Sequence, residues 1–216
     1  VKERPILFSA PMVRAILSGT KTQTRRAWKM PRGLEWYVSG ALRGEETGDI
    51  HDPRSQWWGH VSEMRCPYGS IGDRLWVREA FSGPHCMEAS DGCAAVPPSK
   101  WGSGSRICYW ADGDPIGGDW TKPRPSIHMP RCASRITLEI TGVRVERLQD
   151  ISEADAKADG APCVDEATGR EVLFPAHSKA GTFKLGYRAV WEQINGPDSW
   201  TTNPWVWVVE FKRVTP

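Results

Sequence analysis

Between Gly19 and Arg26 the chain reads Gly19-Thr20-Lys21-Thr22-Gln23-Thr24-Arg25-Arg26, one lysine, three threonines and two arginines in eight residues. A lysine amine and a threonine hydroxyl three positions apart can act as base and nucleophile toward a carbonyl. Guanidiniums beside them suit a phosphate, a developing oxyanion or the edge of a nucleobase. The opposing reading is a solvated basic turn, because charge runs usually face water. Two features favour a pocket. The segment is rich in hydroxyls, and Arg25-Arg26 lead straight into the apolar pair Ala27-Trp28.

The neighbouring elements must position these groups. Residues 4–10 read as a short strand and residues 11–18 as an apolar helix, with Ser9 as N-cap and Pro11 in the first turn. Gly19 ends that helix and turns the chain, so the polar run falls on a loop or an incoming strand. Pro67-Tyr68-Gly69 and Gly72-Asp73 are turn signals before a strand at 74–79. Alternation there sets Leu75 and Val77 on one face and Arg74, Trp76 and Arg78 on the other, with Glu79 at the end. A further short strand covers 107–110. Strands at 135–141 and 143–148 are expected to be separated by a bend at Gly142. Residues 151–160 predict a helix N-capped by Ser152 and ended by Gly160. Another helix covers 182–194, and the last strand covers 205–211.

Composition limits the classes. At 216 residues and net charge +2 there is no global basic field, so nucleic-acid binding would need a local patch. No run of 18 apolar residues is present, so no membrane partner is expected. No secretory cleavage pattern is visible, and an intracellular, cytoplasmic protein with reduced thiols is expected. The six cysteines form no CxxC pair; His85, Cys86, Cys93 and Cys108 could gather a zinc ion, but their spacing is irregular and scattered thiols are the preferred reading. Of the twelve tryptophans, Trp57, Trp58, Trp101 and Trp120 sit among Gly, Pro and polar residues and are expected to pin long loops. Stacking on a base is the functional alternative for a tryptophan. No internal repeat appears. The pattern is an α+β chain whose natural packing is a small, partly closed barrel with helices at its ends.

Several of these segments together resemble the ASCH domain family of the PUA-like superfamily. They are the opening helix followed by Gly19-x-Lys21-x-x-Thr24-x-Arg26, the strand entry Gly72-Asp73-x-Leu75-x-Val77, the acidic helix 151–160, and the closing Val208-Val209-Glu210-Phe211-Lys212. The GxKxxTxR element is the most specific of them. More closely, the chain is similar to phage and prophage ASCH-like proteins. The matching segments are Pro5-Ile6-Leu7-Phe8, Met12-Val13-Arg14-Ala15-Ile16-Leu17, Pro125 to Pro130, Asn195-Gly196-Pro197 and Asn203-Pro204-Trp205-Val206-Trp207. This closer similarity covers most of the chain outside 29–65 and 83–105.

The resemblance implies a single PUA-like domain: a small β-barrel with flanking helices, long insertions at about 29–70 and 82–130, and a cleft for RNA or a nucleoside. Small bacterial members remove the acetyl group from N4-acetylcytidine using the signature lysine and threonine with a carboxylate on the later helix. Those positions fall on Lys21, Thr24 and Asp159. The deacetylases have glutamate where this chain has Asp159, and a misplacement of about 1 Å can cost on the order of 10²-fold in rate. In such a scheme Thr24 supplies the hydroxyl, and Lys21 takes its proton if its amine is desolvated near Arg25 and Arg26. Asp159 shuttles a proton or orients a water. Arg26 pairs with Glu79 or Asp159, or stabilises an oxyanion. Arg25, Arg26, Trp76, Arg78 and Glu79 are the candidate substrate-binding residues, and no metal or cofactor is required. Two alternatives stay open. One is a non-catalytic reader of nucleic acid (RNA rather than DNA) or of a modified base, holding phosphates with Arg14, Arg25, Arg26, Arg74, Arg78, Arg131 and Arg135 and stacking bases on Trp76 or Trp205. The other is a ribonuclease using Asp159, Glu79 and Lys21.

Overall fold

A computed structural model describes residues 1–39, 42–43, 47–83, 107–114, 120–165, 167–171 and 181–214. His85, Cys86, Cys93, Trp101 and most of the expected second insertion lie outside them. The described elements in chain order are β1 (Glu3–Leu7), α1 (Ala10–Leu17), β2 (Gln23–Ala27), β3 (Glu35–Trp36), β4 (Val38–Ser39), β5 (Leu42–Arg43), β6 (Asp49–Asp52), β7 (Trp57–His60), β8 (Arg74–Arg78), β9 (Phe81–Ser82) and β10 (Cys108–Tyr109). They continue with β11 (Thr137–Arg147), α2 (Glu153–Ala158), β12 (Val164–Asp165), β13 (Gly181–Thr182), α3 (Phe183–Asn195) and β14 (Trp205–Val214). The fold is mixed α+β. No helix among the described residues is long and apolar enough to cross a membrane.

The chain divides into two compact units, one of residues 1–21, 72–140 and 211–216, the other of 22–71 and 141–210. In the first, β1 runs parallel to β8 with Glu3 opposite Arg74 and Leu7 opposite Arg78. Pro5 is tolerated because β1 is an edge strand. β11 pairs antiparallel with β8, Thr137 opposite Trp76 and Glu139 opposite Arg74. Alternation holds as expected: Ile6, Leu75, Val77, Leu138 and Ile140 are buried on the inner face. Helix α1 buries Val13 and Ile16, and Arg14 donates from Nη1 to the Ala111 carbonyl. Ser9 precedes the helix but its side chain makes no cap bond. A second, smaller cluster holds Phe81, Met129 and Ala133.

Helices α1 and α2 stop by the same device. Gly19 (φ +77°) donates to Ile16 O while Thr20 donates to Ala15 O; Gly160 (φ +78°) donates to Lys157 O while Ala161 donates to Ala156 O. These paired bonds are Schellman motifs, and the positive φ is why both positions are glycine.

In the second unit β14 pairs antiparallel with the edge strand β2, Glu210 opposite Gln23 and Val206 opposite Ala27. β14 is apolar on both faces, and both are covered. Val206 and Val208 pack with Leu148, Ile151, Ala156, Tyr187, Trp191 and Trp200. Trp207 packs with Trp28, Ile50 and Val61, with Trp36 and Trp205 against them. The latter cluster is roofed by the sheet β3-β6-β7. Trp57 and Trp58 are therefore residues of strand β7 rather than loop pins. β11 runs from Thr137 through Gly142 to Arg147 as one strand rather than two. A Cβ at Gly142 would lie 2.5 Å from the Glu210 carboxylate, so this glycine makes room on the neighbouring strand. Gly186 lets α3 approach the chain after Gly160, since a Cβ there would lie 1.9 Å from the Pro162 carbonyl oxygen.

Candidate functional site

The signature residues are buried although they are polar. Lys21 is 3%, Thr24 3%, Arg25 4% and Asp159 5% exposed. Burying such groups costs free energy unless each is hydrogen-bonded or paired, so the run is not a solvated basic turn. Lys21 belongs to the first unit. Its backbone N–H bonds Ala15 O just past the Schellman turn, and its Nζ stands 5.5 Å from the Phe8 ring centroid.

Thr24, Arg25, Arg26 and Asp159 belong to the second unit. The backbone N–H of Thr22 donates to Ala158 O at 2.8 Å, tying the start of β2 to the last turn of α2. Along β2 the side chains alternate. Gln23 donates from Nε2 to the Asp155 carbonyl (2.8 Å) and to its carboxylate (3.0 Å). Arg25 donates from Nε and Nη2 to Glu146 Oε1 at 2.9 and 2.6 Å, and from Nη1 to Asp159 Oδ2; its Nη2 lies 3.5 Å from Asp155 Oδ2. Thr24 points the opposite way from these two, opposite Val209 of β14. Arg144 then donates to Glu146 at 2.9 Å, to Asp155 at 3.3 Å and to Glu210. Two guanidiniums are thus shared among four carboxylates.

Asp159 is the C-cap residue of α2. A negative charge at a helix C-terminus is disfavoured by the aligned peptide dipoles, and the Arg25 guanidinium offsets this. Asp155 sits in the first turn, where the dipole favours it. Burial works against its charge, but hydrogen bonds from Gln23 and Ser152 and the nearby Arg25 and Arg144 outweigh that and hold its carboxyl below the usual range. Burial lowers the Arg26 guanidinium from its ordinary value, against the opposing pull of Tyr68, Tyr187 and Asp159. Burial also pushes the Tyr187 hydroxyl well up; the Arg25 guanidinium lies 5.9 Å from that ring's centroid.

The remaining candidates lie in the first unit. Glu79 is almost fully buried and accepts two bonds from Arg135, at 2.9 and 3.0 Å. Arg135 also donates to both oxygens of Asp112, at 2.6 and 2.8 Å, and its guanidinium stands 4.0 Å from the Tyr109 ring centroid. Burial raises the Glu79 carboxyl despite Arg135. Glu79 is therefore committed to a structural clamp. Trp76 and Arg78 lie on the outer face of β8, with the Arg78 guanidinium 5.2 Å from the Trp76 ring centroid. Trp205 is packed in the second-unit core and faced by Arg147 at 5.1 Å.

The structure thus joins Arg25 to Asp159, two residues expected to have separate roles. It adds Glu146, Asp155 and Arg144, which were not singled out from sequence. A signal for them existed: alternation sets Arg144 and Glu146 on one face of β11, and spacing sets Asp155 and Asp159 on one face of α2. Among the described residues no three His, Cys, Asp or Glu side chains converge as metal ligands. Comparison with protein-family models, with curated proteins and with solved structures returned no match.

Proposed function

We propose that this chain is an ASCH-like hydrolase of the cytoplasm. In this reading it removes the acyl group from N4-acetylcytidine or a related modified base, free or within RNA, using the Lys21 amine, the Thr24 hydroxyl and the Asp159 carboxylate. The observation that carries the proposal is the burial of all three side chains, with Asp159 anchored by a fully buried guanidinium. A helix-capping aspartate needs no such anchor to end a helix; a carboxylate that must hold one orientation does. Arg25 is then a positioning residue.

Thr24 Oγ1 attacks the acyl carbon as Lys21 accepts the hydroxyl proton. The bond from carbon to the exocyclic nitrogen breaks, the nitrogen takes that proton, and cytidine leaves. Water, oriented by Asp159, then cleaves the threonine ester to release acetate. In this reading Arg26 stabilises the developing negative charge. The same reading takes the fold as a PUA-like barrel, supported by an opening helix that delivers the signature to a strand paired with the closing one.

The test is turnover of N4-acetylcytidine by purified protein without added metal, alongside Lys21→Ala and Thr24→Ala. Cytidine release abolished by both substitutions supports the proposal. No release at high enzyme concentration rejects the activity on the free nucleoside, and release that survives both substitutions rejects the assigned site.

A further inference from the structure

The sheet β3-β6-β7 lies within the first expected insertion and takes no part in the proposed hydrolysis. One of its faces turns Trp36 and Ile50 toward Trp207. On the opposite face, register sets Glu35, His51 and Trp58 in one row. Asp49 and His60 stand two positions along, and Tyr37 joins them by donating its backbone N–H to Asp49 O at 3.0 Å. The His51 ring centroid lies 4.1 Å from that of Trp58 with the planes 30° apart, and Tyr37 meets Trp58 at 85° and 4.3 Å. His51 Nε2 is buried and makes no hydrogen bond among the described residues. A buried nitrogen left without a partner costs stability, so folding alone does not account for this stack. Trp58 is nevertheless 50% exposed. The fixed charges on the face are both negative. None of the six positions is lysine or arginine, and among the described residues neither Glu35 nor Asp49 makes an ion pair. Glu3, Glu79 and Glu139 of the first unit each have one.

We infer that this face docks a basic segment of a partner protein, with an arginine side chain over the Trp58 ring and Glu35 and Asp49 facing its cations. A guanidinium suits such a surface twice: its plane stacks on an indole, and its N–H groups reach a carboxylate beside the ring. β7 is an edge strand of this sheet. An extended segment can therefore run beside it and turn alternate side chains toward Trp58 and toward Asp49 two positions along. A polyanion such as a nucleic acid or an acidic membrane is repelled by the same two carboxylates. The inference does not depend on the proposed hydrolysis.

The test is fluorescence anisotropy at low salt with labelled peptides of alternating Arg-Thr and alternating Glu-Thr, each about eight residues long, within the usual strand length. Binding of the Arg-Thr peptide alone is expected, weakening as salt is added. Trp58→Ala should weaken it by about two- to fivefold, the size of an exposed cation–π contact, while Trp58→Phe retains most of it. Glu35→Gln should weaken binding and flatten its salt dependence. Trp57→Ala is the control: Trp57 is 39% exposed but alternation sets it on the other face of β7, so affinity should not move. Trp58→Ala should leave nucleoside turnover unchanged, and Lys21→Ala should leave peptide affinity unchanged, so failure of one proposal is separable from failure of the other. Thermal melting confirms that each variant is folded. Labelled oligo-U and labelled maltohexaose represent the other occupants. The inference is overturned by no binding of the Arg-Thr peptide at low salt, by equal affinity for the Glu-Thr peptide, or by affinity unmoved in folded Trp58→Ala and Glu35→Gln. Tighter binding of oligo-U or maltohexaose that Trp58→Ala abolishes overturns it as well.

Discussion

Each unit clamps an arginine between carboxylates, but the two arginines have different surroundings. Arg135 in the first unit is a quarter exposed and grips Glu79 and Asp112, with the Tyr109 ring closing one face. Arg25 in the second unit is fully buried, faces Glu146, Asp155 and Asp159, and shares two of these with Arg144. The Arg135 clamp joins the end of β8 to the turn that carries Asp112. Both clusters hold two carboxylates per guanidinium, but the Arg25 lattice holds one of its carboxylates at an unfavourable helix end. A pair that is partly in water contributes less to a fold than a fully buried one, whose loss leaves an uncompensated charge.

Removing each arginine tests that contrast. Arg25→Ala removes the buried guanidinium that Asp159 and Glu146 share, leaving Glu146 with Arg144, and a loss of about 3–5 kcal/mol of stability is expected in urea unfolding. Lysine should restore only part of it, because one ammonium cannot make the forked contacts. Arg135→Ala strands the buried Glu79 and should cost less, about 2–3 kcal/mol, because Arg135 is partly in water. A larger loss at Arg135 than at Arg25 would break the comparison. Ser152→Ala is a smaller test. Ser152 Oγ accepts from the Asp155 N–H at 3.0 Å and donates to the Asp155 carboxylate at 2.9 Å. Its loss should cost about 1 kcal/mol and loosen the acidic end of the lattice.

The pH dependence separates Glu79 from the other clamped carboxylates. Glu79 has a raised carboxyl, so folding favours its protonated form; that contribution is present at low pH and is lost as pH rises through the carboxylate range. Asp155 and Asp112 are lowered, Asp155 as described and Asp112 mainly by its hydrogen bond from Arg135. Their contributions are present above the ordinary carboxylate value and are lost as pH falls. Glu79→Gln should therefore steepen the rise of stability with pH on the acid side, whereas Asp155→Asn should flatten it. Unfolding midpoints measured across the acid range check both signs. The same sign for both variants would show that the two clamps do not differ as described.

Local features were legible in the sequence. The two glycine-ended helices, the Ser152 cap and the alternation of Leu75 and Val77 against Trp76 and Arg78 all depend on neighbours within a few residues. Where local signals conflicted, tertiary packing won. Pro53, Arg54 and Ser55 mark a turn and hide the strands on either side, yet the buried Ile50 draws β6 and β7 into a sheet over Trp207. Gly142 reads as the divide between two strands, yet its missing Cβ makes room for Glu210, 68 positions away in sequence, and one strand runs through it.

The signature itself divides along the same line. The sequence alone determined that an amine, a hydroxyl and two guanidiniums follow the first helix, and that an aspartate ends a later one, because capping and periodicity are short-range effects. Only the tertiary structure decided that Arg25 would hold Asp159, with 134 positions between them, and that Glu79 would be held by Arg135. Several arginines and carboxylates could have paired on charge alone. Which of them met was decided by strand register, helix placement and the cost of leaving any one buried without a partner.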